Sequence, residues 1–187
     1  MAHITSVTVT NGIPTAGTGD VYTIDQLLAQ LSAGNATGAT ASFTSGTTAY
    51  AVRDAVGASA AAAALQFASM GTSTQRVMIT SLSLEIDRAA LISGEANYTL
   101  HLYNVTPPSA INDSAAWDLP SGDRASYLGN IAIPIPVDLG STLYVEVNAI
   151  NKVIKLAGTD IFAYLVTEAA YTPTAAVHKI TLYALNI

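Results

Sequence analysis

The chain has no cysteine and few charged residues, and both features exclude certain classes of function. Without a thiol it forms no disulfide, no thiolate zinc site and no cysteine nucleophile. Charged residues make up 11% of its 187 residues, against about 25% in a typical soluble domain. The seven basic residues are scattered along the chain. Because neutralising phosphates requires grouped Lys and Arg, the sequence predicts no binding to nucleic acid.

Long hydrophobic runs are also absent, although half of the residues are hydrophobic and the mean hydropathy is +0.39. No run approaches the length of about 18 apolar residues that predicts a membrane-spanning helix. The first ten residues, MAHITSVTVT, lack the charged start and apolar core of a signal peptide. We therefore expect a protein outside the membrane and without a secretion signal. An apolar chain with so little charge also predicts that other subunits cover part of its surface.

From about residue 59 onward, the pattern predicts an all-β fold. Apolar and polar residues alternate as in half-buried strands, or apolar residues fill both faces as in central strands; the segments are 76–87, 97–104, 142–149, 160–169 and 177–187. Short strands at close spacing, with almost no helix between them, predict an antiparallel β-sandwich that is jelly-roll-like. Segment 160–169 is apolar on both faces, which predicts a central strand and adds to the expectation of an oligomer.

The clearest helix pattern is YTIDQLLAQLSAG at residues 22–34, with capping residues at both ends. Its apolar residues fall on one face: Ile24, Leu27, Leu28 and Leu31. This helix belongs either to the core of the main domain or to a docking arm. Residues 34–50 are rich in Gly, Ala, Ser and Thr and are typical of a linker. We therefore divide the chain into an N-terminal arm, 1–40, with a short strand and the helix, and a β-sandwich domain, 41–187. On this division the apolar helix face binds a partner.

No residue pattern predicts an enzyme or a cofactor. His3 lies far from the other two histidines, and His101 and His178 each lie on the polar face of a predicted strand, where a lone His is usually solvated or hydrogen-bonded. Glu85 and Asp87 share a strand face about 7 Å apart. That spacing is compatible with the paired carboxylates of a glycosidase, but two acids on a solvated strand face are common. We predict no enzymatic activity.

The longest interruption of the strand pattern, residues 104–124, holds three regularly spaced acids. Asp113, Asp118 and Asp123 offer oxygen ligands of the kind that calcium prefers. Their spacing of five residues differs from an EF-hand loop, whose ligands alternate. Asn112-Asp113 and Gly122-Asp123 are dipeptides typical of turns. We predict that these acids cap turns and that the chain binds no metal.

The end of the same stretch, WDLPSGDRASYLG at 117–129, contains the chain's only Trp. As a sugar-binding loop it would stack Trp117 and Tyr127 on sugar rings, and polar side chains would bind the hydroxyl groups; these are Asp118, Asp123 and Arg124. As a structural loop it would use Trp117 as an anchor on the sandwich, because an aromatic side chain buries a large area. Arg124 would then pair with Asp123 inside the loop. We favour the structural interpretation.

The segments LHLYNVTPPSA and AAWDLPSGDRASYLG, within residues 100–129, resemble a family of small structural proteins of tailed bacteriophages. The resemblance covers residues 41–187 and implies a capsid decoration (auxiliary head) protein with a β-sandwich fold. It further implies binding to the major capsid protein on the virion surface, after assembly in the cytoplasm of the bacterial host. By analogy with decoration proteins on local three-fold axes, it implies a homotrimer. No site residue is carried over from the family.

The alternative function is a glycan-binding β-sandwich module of a phage head or tail fibre. Exposure of Trp117 and Tyr127 on one concave face would favour glycan binding. Burial of Trp117 would favour the structural protein.

Overall fold

The computed structural model describes residues 7–10, 13–16, 36–59 and 63–187. The chain divides into two compact units, Met1–Ala36 and Thr37–Ile187. In the first unit, β1 (Val7–Thr10) pairs with β2 (Ile13–Ala16) in a two-stranded antiparallel sheet. The predicted first strand is thus confirmed over its described part.

The residues that follow β1, which we expected to form a loop because they are rich in Gly and Thr, include the strand β2. Thr10 stands opposite Ile13, and the dipeptide between them in the sequence is Asn-Gly, a strong signal for a two-residue hairpin. The helix predicted at 22–34, with its four apolar residues, lies outside the described residues.

The second unit is all-β in its described part. Its strands are β3 (Ala36–Thr44), β4 (Ala55–Val56), β5 (Leu65–Phe67), β6 (Arg76–Ile86), β7 (Tyr98–Tyr103), β8 (Tyr127–Ile133), β9 (Val137–Asp138), β10 (Leu143–Val147), β11 (Lys152–Lys155), β12 (Ile161–Thr167) and β13 (Val177–Asn186). No helix in the described residues is long and apolar enough to cross a membrane.

The strands form two antiparallel sheets that enclose one core. The six-stranded sheet has the order β3-β13-β6-β10-β9, with β11 also paired to β6; the five-stranded sheet has the order β4-β12-β7-β8, with β5 also paired to β12. The core contains fully buried side chains from both sheets, among them Leu84, Leu100, Leu165 and Ile180. Most of the chain's successive strands, from β3 to β13, cross between the sheets, and the resulting order is that of a jelly roll. The predicted all-β antiparallel sandwich is confirmed.

β3 overturns the prediction that residues 34–50 are a linker. Ala39 and Ala41 point into the core, and Phe43 is half-buried against it. The alternate residues, from Ala36 to Thr44, are exposed. Small side chains on both faces concealed the period of two on which strand prediction depends.

β12 is a central strand, as predicted, but its second apolar face is covered within the chain. Ala163 and Leu165 point into the main core, whereas Tyr164 and Val166 belong to a second buried cluster on the other side of the sheet. The apolar character of both faces therefore reflects a third layer of the same domain. It gives no support to an oligomer, contrary to our expectation.

Candidate functional site

The third layer is formed by residues 104–126, which connect β7 to β8 and cover the outer face of the five-stranded sheet. We call this segment the loop layer. The second buried cluster joins it to the sheet; its members are Ala55, Ala63, Tyr103, Ile111, Trp117, Tyr164 and Val166. Backbone hydrogen bonds fasten it further: Ala55 N donates to Ala115 O at 2.9 Å, and Ala63 N donates to Ile111 O at 2.8 Å. The loop layer is therefore a packed part of the domain.

Trp117 is the anchor of the loop layer. Its side chain is 9% exposed, and its ring stacks on the imidazole of His101 with 3.5 Å between ring centroids and 20° between planes. The Arg53 guanidinium lies 5.5 Å from the centroid of the indole, and Trp117 N donates to Arg53 O at 2.9 Å. A sugar ring needs an open aromatic face, and Trp117 offers none.

His101 is a member of this site that the sequence interpretation missed. We expected a solvated strand-face histidine, but His101 is 5% exposed, beneath Trp117. Its Nδ1 lies 2.9 Å from the hydroxyl of half-buried Tyr127. Burial, together with the positive charge of Arg53, lowers the pKa of His101 to about 4. The imidazole is therefore neutral near pH 7 and serves as an aromatic platform.

Asp123 closes the loop layer instead of facing a ligand. It is fully buried; its Oδ1 accepts a hydrogen bond from Ser109 N at 3.2 Å, and its carbonyl accepts from the Ser126 hydroxyl at 2.8 Å. Asp118 and Arg124 are exposed. The expected ion pair between Arg124 and Asp123 is wrong, because the described ion pairs join Arg88 to Glu95 and Lys179 to Glu85.

The three acids considered for calcium do not converge. Asp113 accepts hydrogen bonds from the Tyr50 hydroxyl at 2.7 Å and from Gly57 N at 3.0 Å. Asp123 is buried and bonded to Ser109, and Asp118 points to solvent. No group of three or more His, Cys, Asp or Glu in the described part of the chain is arranged to hold a metal ion.

The carboxylate pair considered for glycosidase chemistry lies in a shallow cleft on the six-stranded sheet. Glu85 and Asp87 line a cleft of about 280 Å³ together with Thr142, Val177 and Lys179. The Lys179 ammonium lies 3.2 Å from a Glu85 oxygen. The arrangement is that of an exposed cross-strand ion pair.

A buried polar network inside the sandwich was also not predicted. Arg88 forms an ion pair with Glu95, which also accepts a hydrogen bond from Tyr98 at 2.5 Å; the Tyr98 and Tyr171 hydroxyls are 3.1 Å apart. Burial acts to raise the pKa of Glu95, but the hydrogen bonds from Arg88 and Tyr98 outweigh it and hold that pKa below its usual value. The carboxylate is therefore charged near pH 7, and the network fixes the residues before β7 to the core.

His178 is buried in the same sandwich, 1% exposed, and was also expected to be solvated. It stacks on Phe43 of β3 at 4.9 Å between centroids. Burial lowers its pKa to about 4. Like His101, it serves packing in its neutral form.

No family model matches this chain, and no curated protein matches it. Among solved structures, it is similar to a full particle of Israeli acute paralysis virus heated to 63 degrees, with 9% identity and a TM-score of 0.36 over 100% of this chain and 80% of that chain. It is similar to mud crab dicistrovirus, with 12% identity and a TM-score of 0.34 over 96% and 76% of the two chains. For turnip yellow mosaic virus the identity is 12% and the TM-score is 0.28, over 97% of this chain and 89% of that chain. Similarity of this degree leaves function to be argued from the chain itself.

Proposed function

We propose that the protein is a non-enzymatic virion structural protein that decorates the outside of a tailed-phage capsid by binding the major capsid protein. The observation that carries the proposal is the burial of Trp117 at 9% exposure beneath its own loop layer. The only Trp, with Asp123 and His101, is used to make a rigid third layer. This is the outcome that favours a structural protein over a glycan-binding module.

The jelly-roll order of the sheets supports the same proposal at the level of fold. Jelly rolls form many virus shells, and they also form lectins and cupins. Fold analogy alone does not assign a function. A lectin function would need an accessible aromatic platform, and Trp117 does not provide one. The sandwich fold agrees with the sequence resemblance to phage head proteins.

Exposed apolar side chains support a role in assembly. Val153 and Leu185 both stand opposite Met78 in the six-stranded sheet, so the three form one row on its outer face. Val153 is 52% exposed and Leu185 is 36% exposed. Three further apolar side chains are exposed at alternate positions before β10: Ile135, Val137 and Leu139. Contiguous apolar surface of this kind is typical of sites that bind other proteins.

The N-terminal arm is proposed as a docking element. Its predicted helix carries Ile24, Leu27, Leu28 and Leu31 on one face, and a helix of about three turns is too short to be stable alone in water. Burying that face on a neighbouring subunit or on the capsid would stabilise both the helix and its contact with that partner. A homotrimer is the expected order of self-association, by analogy with decoration proteins.

The location is tested on purified virions of the phage that encodes the chain. Heads and tails are separated, and the protein is quantified by mass spectrometry in each fraction. We expect it in heads, at a fixed ratio to the major capsid protein. Its presence only in tails, or its absence from virions, would contradict the proposal. A glycan array probed with the purified protein tests the alternative, and we expect no specific binding.

The arm is tested by truncation immediately before Ala36, so that β3 stays complete. We expect the remaining chain to fold with a near-normal melting temperature but to co-sediment poorly with heads that lack the protein. A full-length variant with Leu27→Asp and Leu28→Asp is the matched control for the apolar face. If the truncated chain still decorates heads normally, the docking surface lies on the sandwich.

A further inference from the structure

The outer face of the six-stranded sheet brings together two cations that lie far apart in the chain. β11 pairs with the first part of β6, and Lys155 stands directly opposite Arg76. Leu156 N donates to Gln75 O at 2.9 Å, so these two residues form a hydrogen-bonded pair. The next pair, Arg76 with Lys155, is therefore the closely spaced kind, with about 4.5 Å between Cα atoms. Both side chains are exposed.

This arrangement is unfavourable within the chain itself, because like charges directly opposite each other destabilise a sheet. The ion pairs of the described residues join Arg88 to Glu95 and Lys179 to Glu85, and neither includes Arg76 or Lys155. The first acid along β6 is Glu85, nine residues after Arg76 and roughly 25–30 Å away. That distance exceeds the screening length of about 8 Å at physiological salt.

An apolar row lies beside the two cations on the same face. Val153 and Leu185 both stand opposite Met78, which is two residues from Arg76 along β6. Val153 is 52% exposed and Leu185 is 36% exposed. We call the two cations and this row the basic–apolar patch; its members are Arg76, Met78, Val153, Lys155 and Leu185. Apolar side chains leave water, and these cations gain counter-charges, when another surface covers the patch.

We propose that the basic–apolar patch binds an acidic surface of another protein of the phage particle, on which carboxylates face the two cations and an apolar side chain faces the row. The inference rests on the proposed function for the identity of that protein, which is then the major capsid protein. The argument for the partner is charge complementarity. The chain carries a net charge of −6, yet this part of its surface presents two cations and favours a partner of opposite sign.

An acidic protein fits the patch better than a nucleic acid or a membrane does. Binding to phosphates requires several grouped Lys and Arg residues, and the patch has two. Recognition of anionic lipids uses clusters of about four to eight cations. Neither ligand explains both halves of the patch as well as a protein surface, which supplies carboxylates and apolar side chains together.

Charge reversal tests the proposal in the full-length protein. Co-sedimentation measures binding to purified heads that lack the protein and, in parallel, to purified tails. We expect Arg76→Glu combined with Lys155→Glu to weaken binding to heads by at least about tenfold. Arg124→Glu is the matched control, because it makes the same type of change at an exposed position of the loop layer. It should change binding by less than about twofold.

Salt gives a second measurement of the same contact. Raising NaCl from about 50 mM to about 300 mM should weaken wild-type binding, since salt screens attraction between exposed charges. The double variant has lost that attraction, so its remaining binding should not fall as salt rises. Wild-type binding that is insensitive to salt would contradict the proposal.

The single variant Arg76→Glu separates binding from stability. Its new carboxylate stands opposite Lys155, so a favourable cross-strand pair replaces two like charges. We expect the melting temperature to rise by about 1–2 °C while binding to heads weakens. A melting temperature below that of Arg124→Glu would mean that the patch is already paired in the free protein, and the proposal would then be wrong.

The outcomes distinguish this inference from the proposed function. Undiminished binding of the double variant to heads would overturn the patch and leave decoration intact. Wild-type binding to tails alone, lost in the double variant, would support the patch and contradict decoration. Wild-type binding to neither would contradict both. Binding to vesicles of phosphatidylcholine and phosphatidylserine that the double variant loses would replace the acidic protein with a membrane.

Discussion

Trp117→Ala removes the anchor of the loop layer, and we expect it to cost about 3–5 kcal/mol of the free energy of unfolding. The indole is 9% exposed and stacks on His101 at 3.5 Å. Its removal leaves a cavity beside the His101 imidazole, which cannot move to fill it. In a domain of this size, 1 kcal/mol corresponds to about 2–4 °C in melting temperature. We therefore expect the melting temperature to fall by about 6–20 °C.

The same substitution should move the pKa of His101. Burial under the indole lowers that pKa from 6.5 to about 4. Removing Trp117 admits water to the imidazole, so the pKa should rise toward 6.5. An NMR titration of the imidazole C–H signals measures it, and a destabilisation located elsewhere in the domain would not produce this shift.

The unfolding assay is urea denaturation followed by circular dichroism, because the variant lacks the only Trp and its fluorescence. Asp118→Ala, next in the chain and exposed, is the control and should change stability by less than about 0.5 kcal/mol. Trp117→Phe should lie between the wild type and Trp117→Ala, since it keeps a stacked ring. A loss below about 1 kcal/mol in Trp117→Ala, with an unchanged His101 pKa, would refute the anchor and reopen the sugar-binding interpretation.

Three further predictions concern the Arg88–Glu95 ion pair, the buried His178 and the carboxylates of Glu85 and Asp87. Glu95→Ala leaves Arg88 buried without its partner and should cost about 3–5 kcal/mol in urea unfolding; adding Arg88→Met should recover a large part of that loss. In the folded state the pKa of His178 is about 4, below its usual 6.5. The contribution of neutral His178 to the free energy of unfolding is therefore fully present above pH 6.5 and is lost as the pH falls toward 4. We expect this to amount to about 3 kcal/mol between pH 7 and pH 4, with a smaller acid loss in His178→Phe. Glu85 is paired with Lys179, so we expect no polysaccharide hydrolysis, and turnover that Glu85→Gln or Asp87→Asn abolishes would contradict this.

The strands with regular alternation could be predicted from the sequence. Leu143, Val145 and their alternating neighbours in β10 made a half-buried strand recognisable, and the fully apolar β12 was recognisable as central. The jelly roll could be predicted from the sequence only as a fold class, without its strand order. Which strands pair is decided by contacts between residues far apart in the chain, such as Val145 with Leu84.

In the candidate site, the burial of Trp117 could be predicted from the sequence, whereas the burial of His101 beneath it could not. A single Trp in a long loop favours burial because of its area, and Trp117 is buried. His101 follows the alternation of β7 and would be solvated if the sheet had one covered face. Residues 104–126 return to cover that face, and no local pattern shows where a long loop packs. The same return buries Tyr164.

The misreading of β3 as a linker has a physical origin. Gly38, Thr40 and Ser42 provide neither apolar alternation nor charge, so a pattern search finds only the composition of a flexible tether. A tether has no reason to place Ala39 and Ala41 in a core, yet both are buried. The burial of these two small side chains depends on contacts with residues far apart in the chain, which no local pattern shows.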